Sequence, residues 1–163
     1  MARQLILVRH AKSAWPDGVA DHERPLAGRG RRDAPEIGRW LAGSGIEPEV
    51  AYVSSAARAR ATFELLSAEL TSPVRSIVTD DVYGASTGDL LDLVRSADDD
   101  VRSVLIVGHN PGIGTLASVL DDRQSGLLDF KTSAVAVFDV GTPWADVNPG
   151  AARLAASAVP RAN

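Results

Sequence analysis

Two short apolar runs of this 163-residue chain end in the same way, and they constrain its fold more than any other feature. The first run reads LILVRH and ends at His10, and the second reads VLIVGH and ends at His109. Short apolar runs that are partly β-branched are typical of strands buried on both faces. Such strands belong to sheets covered by helices, where ligands bind at the carboxyl ends of the strands. We therefore expect both histidines at a binding edge.

Strand and helix patterns alternate along the rest of the chain. Apolar runs predict strands at residues 5–8, 50–53, 74–78, 104–107 and 134–140, with a last edge strand within 151–159. Apolar residues at helical spacing predict helices at residues 31–41, 56–70, 86–97 and 112–120. The sequence thus indicates the α/β class: a three-layer α/β/α sandwich with a largely parallel central sheet, in a single domain spanning residues 1–163.

Local signals refine these elements. Pro35 should lie in the first turn of its helix, where a missing N–H costs little. Ser54 and Ser55 are suited to cap the second helix, and Ser86 or Thr87 to cap the third. Residues 11–30 contain several glycines and prolines without apolar periodicity, so they predict a long loop, which in a compact domain is usually functional.

Composition excludes several classes of function. The net charge of -4 argues against bulk electrostatic binding to nucleic acid. The chain has no cysteine, which excludes a disulfide scaffold and a cysteine nucleophile and fits a cytoplasmic location. No apolar run approaches the roughly 20 residues of a membrane span, and the first run is too short for a signal peptide. We expect a cytoplasmic protein with neither a nucleic-acid nor a membrane partner.

Cationic and imidazole side chains gather at the predicted binding edge. Arg9 and His10 follow the first strand, and His109 follows the fourth. Arg58 begins the second helix, and Arg24 lies in the long loop. Arginine forks bind oxyanions in pairs, and a neutral imidazole is a competent nucleophile toward phosphorus. The nearby arginines should keep His10 neutral near pH 7. The pattern predicts a phosphoryl site, with further candidate substrate-binding residues at Ser54, Gly108 and Asn110.

The same residues carry a family resemblance. LILVRHAKS together with VGHNPG resembles the histidine phosphatase (phosphoglycerate mutase-like) superfamily. Arg-Pro-Leu at 24–26 and Ser-x-x-x-Arg-Ala from Ser54 are similar to its compact branch, the SixA-type phosphohistidine phosphatases. The resemblance implies that His10 is transiently phosphorylated and then hydrolysed by water, without a cofactor. It also implies that the phosphoryl group is bound by Arg9, Arg58 and His109, with Arg24 as a further candidate.

The chain departs from the family pattern at two points. The usual glycine after Arg-His is Ala11, which would be strained if that position required a positive φ. The acid that larger members place after the third strand has no clear counterpart, so Asp21 and Glu23 are candidate proton donors. Because a leaving imidazole needs less help than an alkoxide, a missing acid favours a phosphoramidate substrate. His22, between these two acids, is expected to be a solvated loop residue.

The expected partner is therefore a protein that carries phosphohistidine. Three alternatives stay open: a phosphatase of small phosphate esters, a non-catalytic phosphate-binding module, and a metal hydrolase using His10, His109 and Asp21. These last three residues have no recognised metal spacing, so we predict no metal. Trp15 is expected to flank the site from the loop, and Trp40 to lie in the core.

Overall fold

The computed structural model describes residues 2–124 and 129–163. Its strands are β1 (Arg3–Arg9), β2 (Val50–Ser54), β3 (Arg75–Thr79), β4 (Ser103–Gly108), β5 (Val135–Val140) and β6 (Ala152–Ala158). Its helices are α1 (Gly28–Gly43), α2 (Ala57–Ser67), α3 (Thr87–Arg95) and α4 (Gly112–Leu120), with short 3₁₀ turns at Asp21–Glu23 and Trp144–Asp146. The six strands form one sheet in the order β3-β2-β4-β1-β5-β6. The first four strands pair in parallel, and β5 and β6 pair antiparallel at one edge.

Alternation along β1 separates two hydrophobic layers. Leu5 and Leu7 belong to the core on the side of α3 and α4, whereas Ile6 and Val8 belong to the core on the side of α1 and α2. All four side chains are fully buried, because helices cover both faces of the sheet. The predicted three-layer α/β/α architecture is confirmed.

Helix α1 begins earlier than its apolar spacing predicts. It starts at Gly28, so Pro35 lies in the helix interior and the prediction of a first-turn proline is wrong. A long-range contact explains the extra turn: a Cβ on Gly30 would lie 2.1 Å from the carbonyl oxygen of Lys12. Only glycine allows the helix start to pack this closely on the loop after β1. Trp40 is partly buried against the neighbouring core.

The helix caps match the predictions only in part. Ser86 caps α3 and forms a capping box with Asp89, as expected. Helix α2 instead begins after Ala56, whose side chain forms no cap hydrogen bond. The hydroxyl of Ser54 does accept a hydrogen bond from the Ala56 N–H at 3.2 Å, but it serves a second partner described below.

Two further sequence expectations concern the backbone and the membrane. Among the described non-glycine residues, only Ser133 has a positive φ, so Ala11 avoids the left-handed conformation and its expected strain is absent. Within the described part of the chain, no helix has the length and apolarity that crossing a membrane requires.

Candidate active site

The sheet register brings the two strand-end histidines together. Strands β1 and β4 are neighbours, and Arg9 pairs with Gly108, so the next residue on each strand is a histidine. The backbone N–H of His10 donates to the Gly108 carbonyl at 3.1 Å. The two imidazole ring centroids lie 5.0 Å apart, with a 54° angle between the ring planes. Two segments about a hundred residues apart therefore form one site.

His10 presents a ring nitrogen that carries a lone pair. Its Nδ1 lies 2.8 Å from the Ala11 carbonyl oxygen, which can only accept, so Nδ1 holds the proton and Nε2 is free to react. Burial is the main cause that lowers the pKa of His10 to about 3, and positive charges at Arg58 and Arg9 add to the shift. The neutral ring agrees with the prediction, but the arginines are the smaller cause.

His109 presents the opposite arrangement. Its Nε2 lies 2.7 Å from the Ser54 hydroxyl, and its buried Nδ1 has no partner in residues 2–124 and 129–163. Ser54 is fully buried and already accepts from Ala56, so its own proton is satisfied by donation to Nε2 of His109. Nδ1 of His109 then carries the proton. Burial, followed by the charge of Arg58, lowers the pKa of His109 to about 4.

Thr62 connects the His10 segment to helix α2. Its hydroxyl accepts from the Ala11 N–H at 3.0 Å and donates to the Arg58 carbonyl at 2.7 Å. This bridge joins the turn after β1 to the backbone of a site arginine.

A small cationic cavity lies beside the two histidines. Its volume is about 230 Å³, and its lining residues are Arg9, His10, Lys12, Ser13, Trp15, Arg24, Arg58, His109, Asn110 and Thr132. Four of these side chains are cationic and none is a carboxylate. The field in this cavity is therefore positive although the net charge of the chain is -4.

Three buried N–H groups at the cavity have no hydrogen-bond partner among the described residues. They belong to Nε of Arg9, Nε of Arg58 and Nδ1 of His109. A buried donor without a partner costs about 1–3 kcal/mol, so a cluster of three indicates a missing acceptor. A tetrahedral oxyanion supplies several acceptor oxygens at once, and the lone pair of His10 would face it.

Arg24 is held by contacts within the protein. Its three side-chain nitrogens donate to the Ala14 carbonyl, to Asp21 and to the Ser13 hydroxyl. Its guanidinium carbon lies 3.3 Å from the ring centroid of Trp15, a cation–π contact. Trp15 flanks the cavity as expected, and 75% of its surface is exposed.

The structure places the three candidate substrate-binding residues in different surroundings. Ser54 is fully buried and positions His109. Gly108 is also buried, and a Cβ there would lie 3.2 Å from Val82, so it serves packing. Asn110 lines the cavity, but its amide donates to the Phe130 carbonyl at 2.7 Å and accepts from Gly114 at 3.1 Å. Ser54 and Gly108 thus support the site from below, Asn110 lies at the cavity itself, and all three stay candidates for substrate binding.

The two candidate proton donors lie outside the cavity lining. Asp21 accepts from Tyr83 and from two site arginines, and these hydrogen bonds lower its pKa to about 2. It is ionised near neutral pH and has no proton to donate. Glu23 is exposed and contacts Nδ1 of His22 at 2.8 Å. Nε2 of His22 contacts the Ser55 hydroxyl at 2.9 Å, and the side chain stays 35% exposed to solvent.

Two further features concern the surroundings of the cavity. Within residues 2–124 and 129–163, no three His, Asp or Glu side chains gather in a way that suits a metal ion. A larger cavity of about 510 Å³ lies next to Tyr83, and its charged lining residues are Asp80, Asp81, Asp89 and Asp92. This acidic surface would repel a phosphoryl group.

Several site residues escaped the sequence analysis. Lys12 and Ser13 follow His10 directly, within the LILVRHAKS motif, and this position was the available signal. Thr132 and Tyr83 have no motif that distinguishes them, because only the fold brings them to the site.

Comparison with known proteins agrees with this site. The sequence profile of the histidine phosphatase superfamily (branch 1) matches residues 5–100. An uncharacterized Mycobacterium tuberculosis protein is 40% identical over 162 residues, which cover 94% of this chain and 100% of the relative. A SixA protein of Nakamurella multipartitia superposes with a TM-score of 0.86 at 30% identity, covering 98% of this chain and 97% of that one. The protein histidine phosphatase SixA complexed with tungstate superposes at 0.82 with 26% identity, covering 96% and 97%.

Proposed function

The chain belongs to the histidine phosphatase superfamily, and we propose that it hydrolyses phosphohistidine on a partner protein through a covalent intermediate on His10. One observation carries the choice of substrate. The described lining of the cavity is cationic and contains no carboxyl group that is able to protonate a poor leaving group. A phosphate ester expels an alkoxide, which needs that proton, whereas phosphohistidine expels an imidazole, which needs it less.

In the first step, Nε2 of neutral His10 attacks phosphorus while the bond from phosphorus to the leaving nitrogen breaks. The N–H groups at Nε of Arg9, Nε of Arg58 and Nδ1 of His109 bind the equatorial oxygens of the transferring group. They neutralise its charge, which is the main task in phosphoryl transfer. The leaving imidazole takes its proton from solvent, because the cavity is open at the Trp15 rim.

In the second step, a water molecule attacks phosphorus on His10. The bond from phosphorus to Nε2 breaks, inorganic phosphate leaves, and His10 returns to its neutral form. The low pKa of His10, about 3, favours the neutral leaving ring in this step. The same three donors serve both transition states, so no rearrangement of the site is required.

The size of the cavity supports a substrate whose bulk lies outside it. Small-molecule sites usually enclose about 300–1,000 Å³. The volume here, about 230 Å³, suits a phosphoryl group and the ring that carries it. The remainder of the substrate would lie over the rim, where Trp15 offers an exposed aromatic surface. Aromatic residues of this kind are enriched where proteins meet partners.

Competing substrates provide the test. We expect kcat/KM for a phosphohistidine-bearing phosphotransfer domain to exceed that for sugar phosphates by about a hundredfold or more. Protein quenched in alkaline denaturant should carry an acid-labile, base-stable phosphoryl group on His10. Equal or faster turnover of sugar phosphates would replace the proposal with a small-ester phosphatase. Phosphate binding without any turnover would indicate a non-catalytic module, and loss of activity in excess EDTA would indicate a metal hydrolase.

A further inference from the structure

The Asp21–Glu23 turn places the Asp21 carboxylate against two arginines of the site: Arg24 from the loop and Arg58 from helix α2. Oδ1 of Asp21 accepts from Nη1 of Arg24 at 2.9 Å, and Oδ2 accepts from Nη2 of Arg58 at 3.1 Å. The backbone carbonyl of Asp21 accepts from Nη1 of Arg58 at 2.7 Å. Tyr83 donates its hydroxyl to Oδ2 at 2.7 Å. One residue therefore accepts four hydrogen bonds from three side chains.

These contacts use the outer part of the Arg58 guanidinium. Both Nη atoms donate to Asp21, whereas Nε is buried and has no partner among the described residues. Arg58 lines the phosphoryl cavity, but Asp21 does not. The side chain of Asp21 is 51% exposed, so the carboxylate contacts the guanidinium of Arg58 from the solvent side. Of the five N–H groups of this guanidinium, the one at Nε is therefore the buried one that is available to a ligand.

Tyr83 extends this support to the second histidine. Its ring meets the His109 ring edge-on, with centroids 5.8 Å apart, and meets the His22 ring edge-on at 4.8 Å. His22 is tied in turn to Ser55, the residue after β2. These contacts hold the turn that carries Asp21 against the sheet edge where His10 and His109 lie. Because its carboxylate is held in place, Asp21 can in turn orient the Arg58 guanidinium.

We propose that Asp21 is a positioning residue, which holds the Arg58 guanidinium so that its Nε–H is aimed at the phosphoryl group. This inference rests on the proposed function. It differs from two other interpretations of the same contacts. If Asp21 were the proton donor, its loss would matter only for poor leaving groups. If Asp21 were an internal competitor that occupies the anion site, its loss would tighten phosphate binding.

The three interpretations predict different kinetics for Asp21→Asn. Steady-state kcat and KM are measured with a phosphohistidine peptide and with p-nitrophenyl phosphate, whose leaving group needs no proton. Inorganic phosphate affinity is measured by calorimetry, which needs no turnover. We expect kcat/KM to fall about tenfold to a hundredfold on both substrates alike, and phosphate affinity to fall about tenfold. A misplaced Arg58 donor weakens the binding of the anion and of the transition state together.

Two further variants complete the design. Tyr83→Phe removes one hydrogen bond to Asp21 and should shift phosphate affinity in the same direction by about threefold. Asp17 is an exposed carboxylate in the same loop, and Asp17→Asn removes the same charge as Asp21→Asn. Its kinetics and phosphate affinity should equal those of the wild type. If Asp21→Asn does not fold, Tyr83→Phe decides the matter, and unchanged phosphate affinity in it would overturn the proposal.

The outcomes separate this inference from the proposed function. A loss confined to the phosphohistidine peptide, tighter phosphate binding, or kinetics equal to Asp17→Asn would each overturn the positioning role. Weaker phosphate binding by Asp21→Asn in a protein that turns over no substrate would uphold the positioning role and refute the phosphatase. A wild-type protein that binds no phosphate would refute both.

Discussion

His10 and His109 occupy equivalent places at the ends of two neighbouring strands, yet they offer opposite ring nitrogens to the same cavity. His10 donates a hydrogen bond from Nδ1–H to the Ala11 carbonyl and keeps a lone pair at Nε2. His109 accepts a hydrogen bond from the Ser54 hydroxyl at Nε2 and keeps an N–H at Nδ1 that has no partner among the described residues. The comparison shows that the chemical role of an imidazole is set by the partner of its other nitrogen. A lone pair suits a nucleophile, and an N–H suits an oxyanion.

Replacing His10 should have the largest effect. His10→Asn keeps a donor near the Ala11 carbonyl but removes the nucleophile, so turnover should fall by at least about 10⁴-fold. The acid-labile phosphoryl group should disappear, whereas phosphate binding measured by calorimetry should persist. Turnover within about tenfold of the wild type would show that His10 is not the nucleophile.

Replacing His109 with its two amide analogues should separate its nitrogens. Glutamine places its amide near Nε2 and leaves the cavity without the donor, so kcat should fall about 10²–10³-fold. Asparagine places an N–H near Nδ1 and should retain more of the activity. Both variants should still form the phosphoryl-enzyme on His10, which rapid-quench experiments can detect. An equal loss in the two variants would contradict the assignment of Nδ1 as the donor.

Lowering the pH should destabilise the protein through both rings. Their pKa values fall from 6.5 to about 3 and about 4 on folding, so the unfolded state binds more protons once the pH drops below 6.5. Stability should be greatest above pH 6.5 and decline as the pH falls toward the folded values. The free energy of unfolding from urea titrations should be about 2–4 kcal/mol lower at about pH 5 than at about pH 7.5. The double variant His10→Asn/His109→Asn keeps His22 but lacks both buried rings. Its free energy of unfolding should therefore fall less between these two pH values than that of the wild type.

Removing the Ser54 hydroxyl should have the smallest effect. Ser54→Ala leaves both tautomers of His109 accessible, so kcat should fall about tenfold, the equivalent of one hydrogen bond. Long-range nitrogen NMR of the His109 ring should report a single tautomer in the wild type and a mixture in the variant, while the His10 signals stay unchanged. An unchanged His109 spectrum would refute the role of Ser54.

The sequence predicted the strands and the edge that carries both histidines because these depend on local patterns. Apolar runs determine burial, and parallel strands bring their ends to one edge, so His10, His109 and Arg9 could be placed together without coordinates. The start of α1 was missed because it depends on the contact between Gly30 and the distant backbone of Lys12.

The orientation of the site groups also lay beyond the sequence. Ser54 was expected to cap a helix or bind substrate, but its main partner is His109, 55 positions away. Asp21 was a candidate acid, and only its contacts with Arg24, Arg58 and Tyr83 show that it is held ionised. Hydrogen-bond partners across long sequence separations leave no local pattern to read.

The in-register pairing of β1 with β4 has a consequence for how this chemistry tolerates change. Neighbouring strands lie about 4.8 Å apart, and the two imidazole centroids are separated by nearly the same distance, 5.0 Å. The distance between the two imidazoles is thus determined by main-chain pairing and not by loop length. Insertions in the surrounding loops leave that gap intact, whereas slipping one strand by a single residue would turn an imidazole to the opposite face.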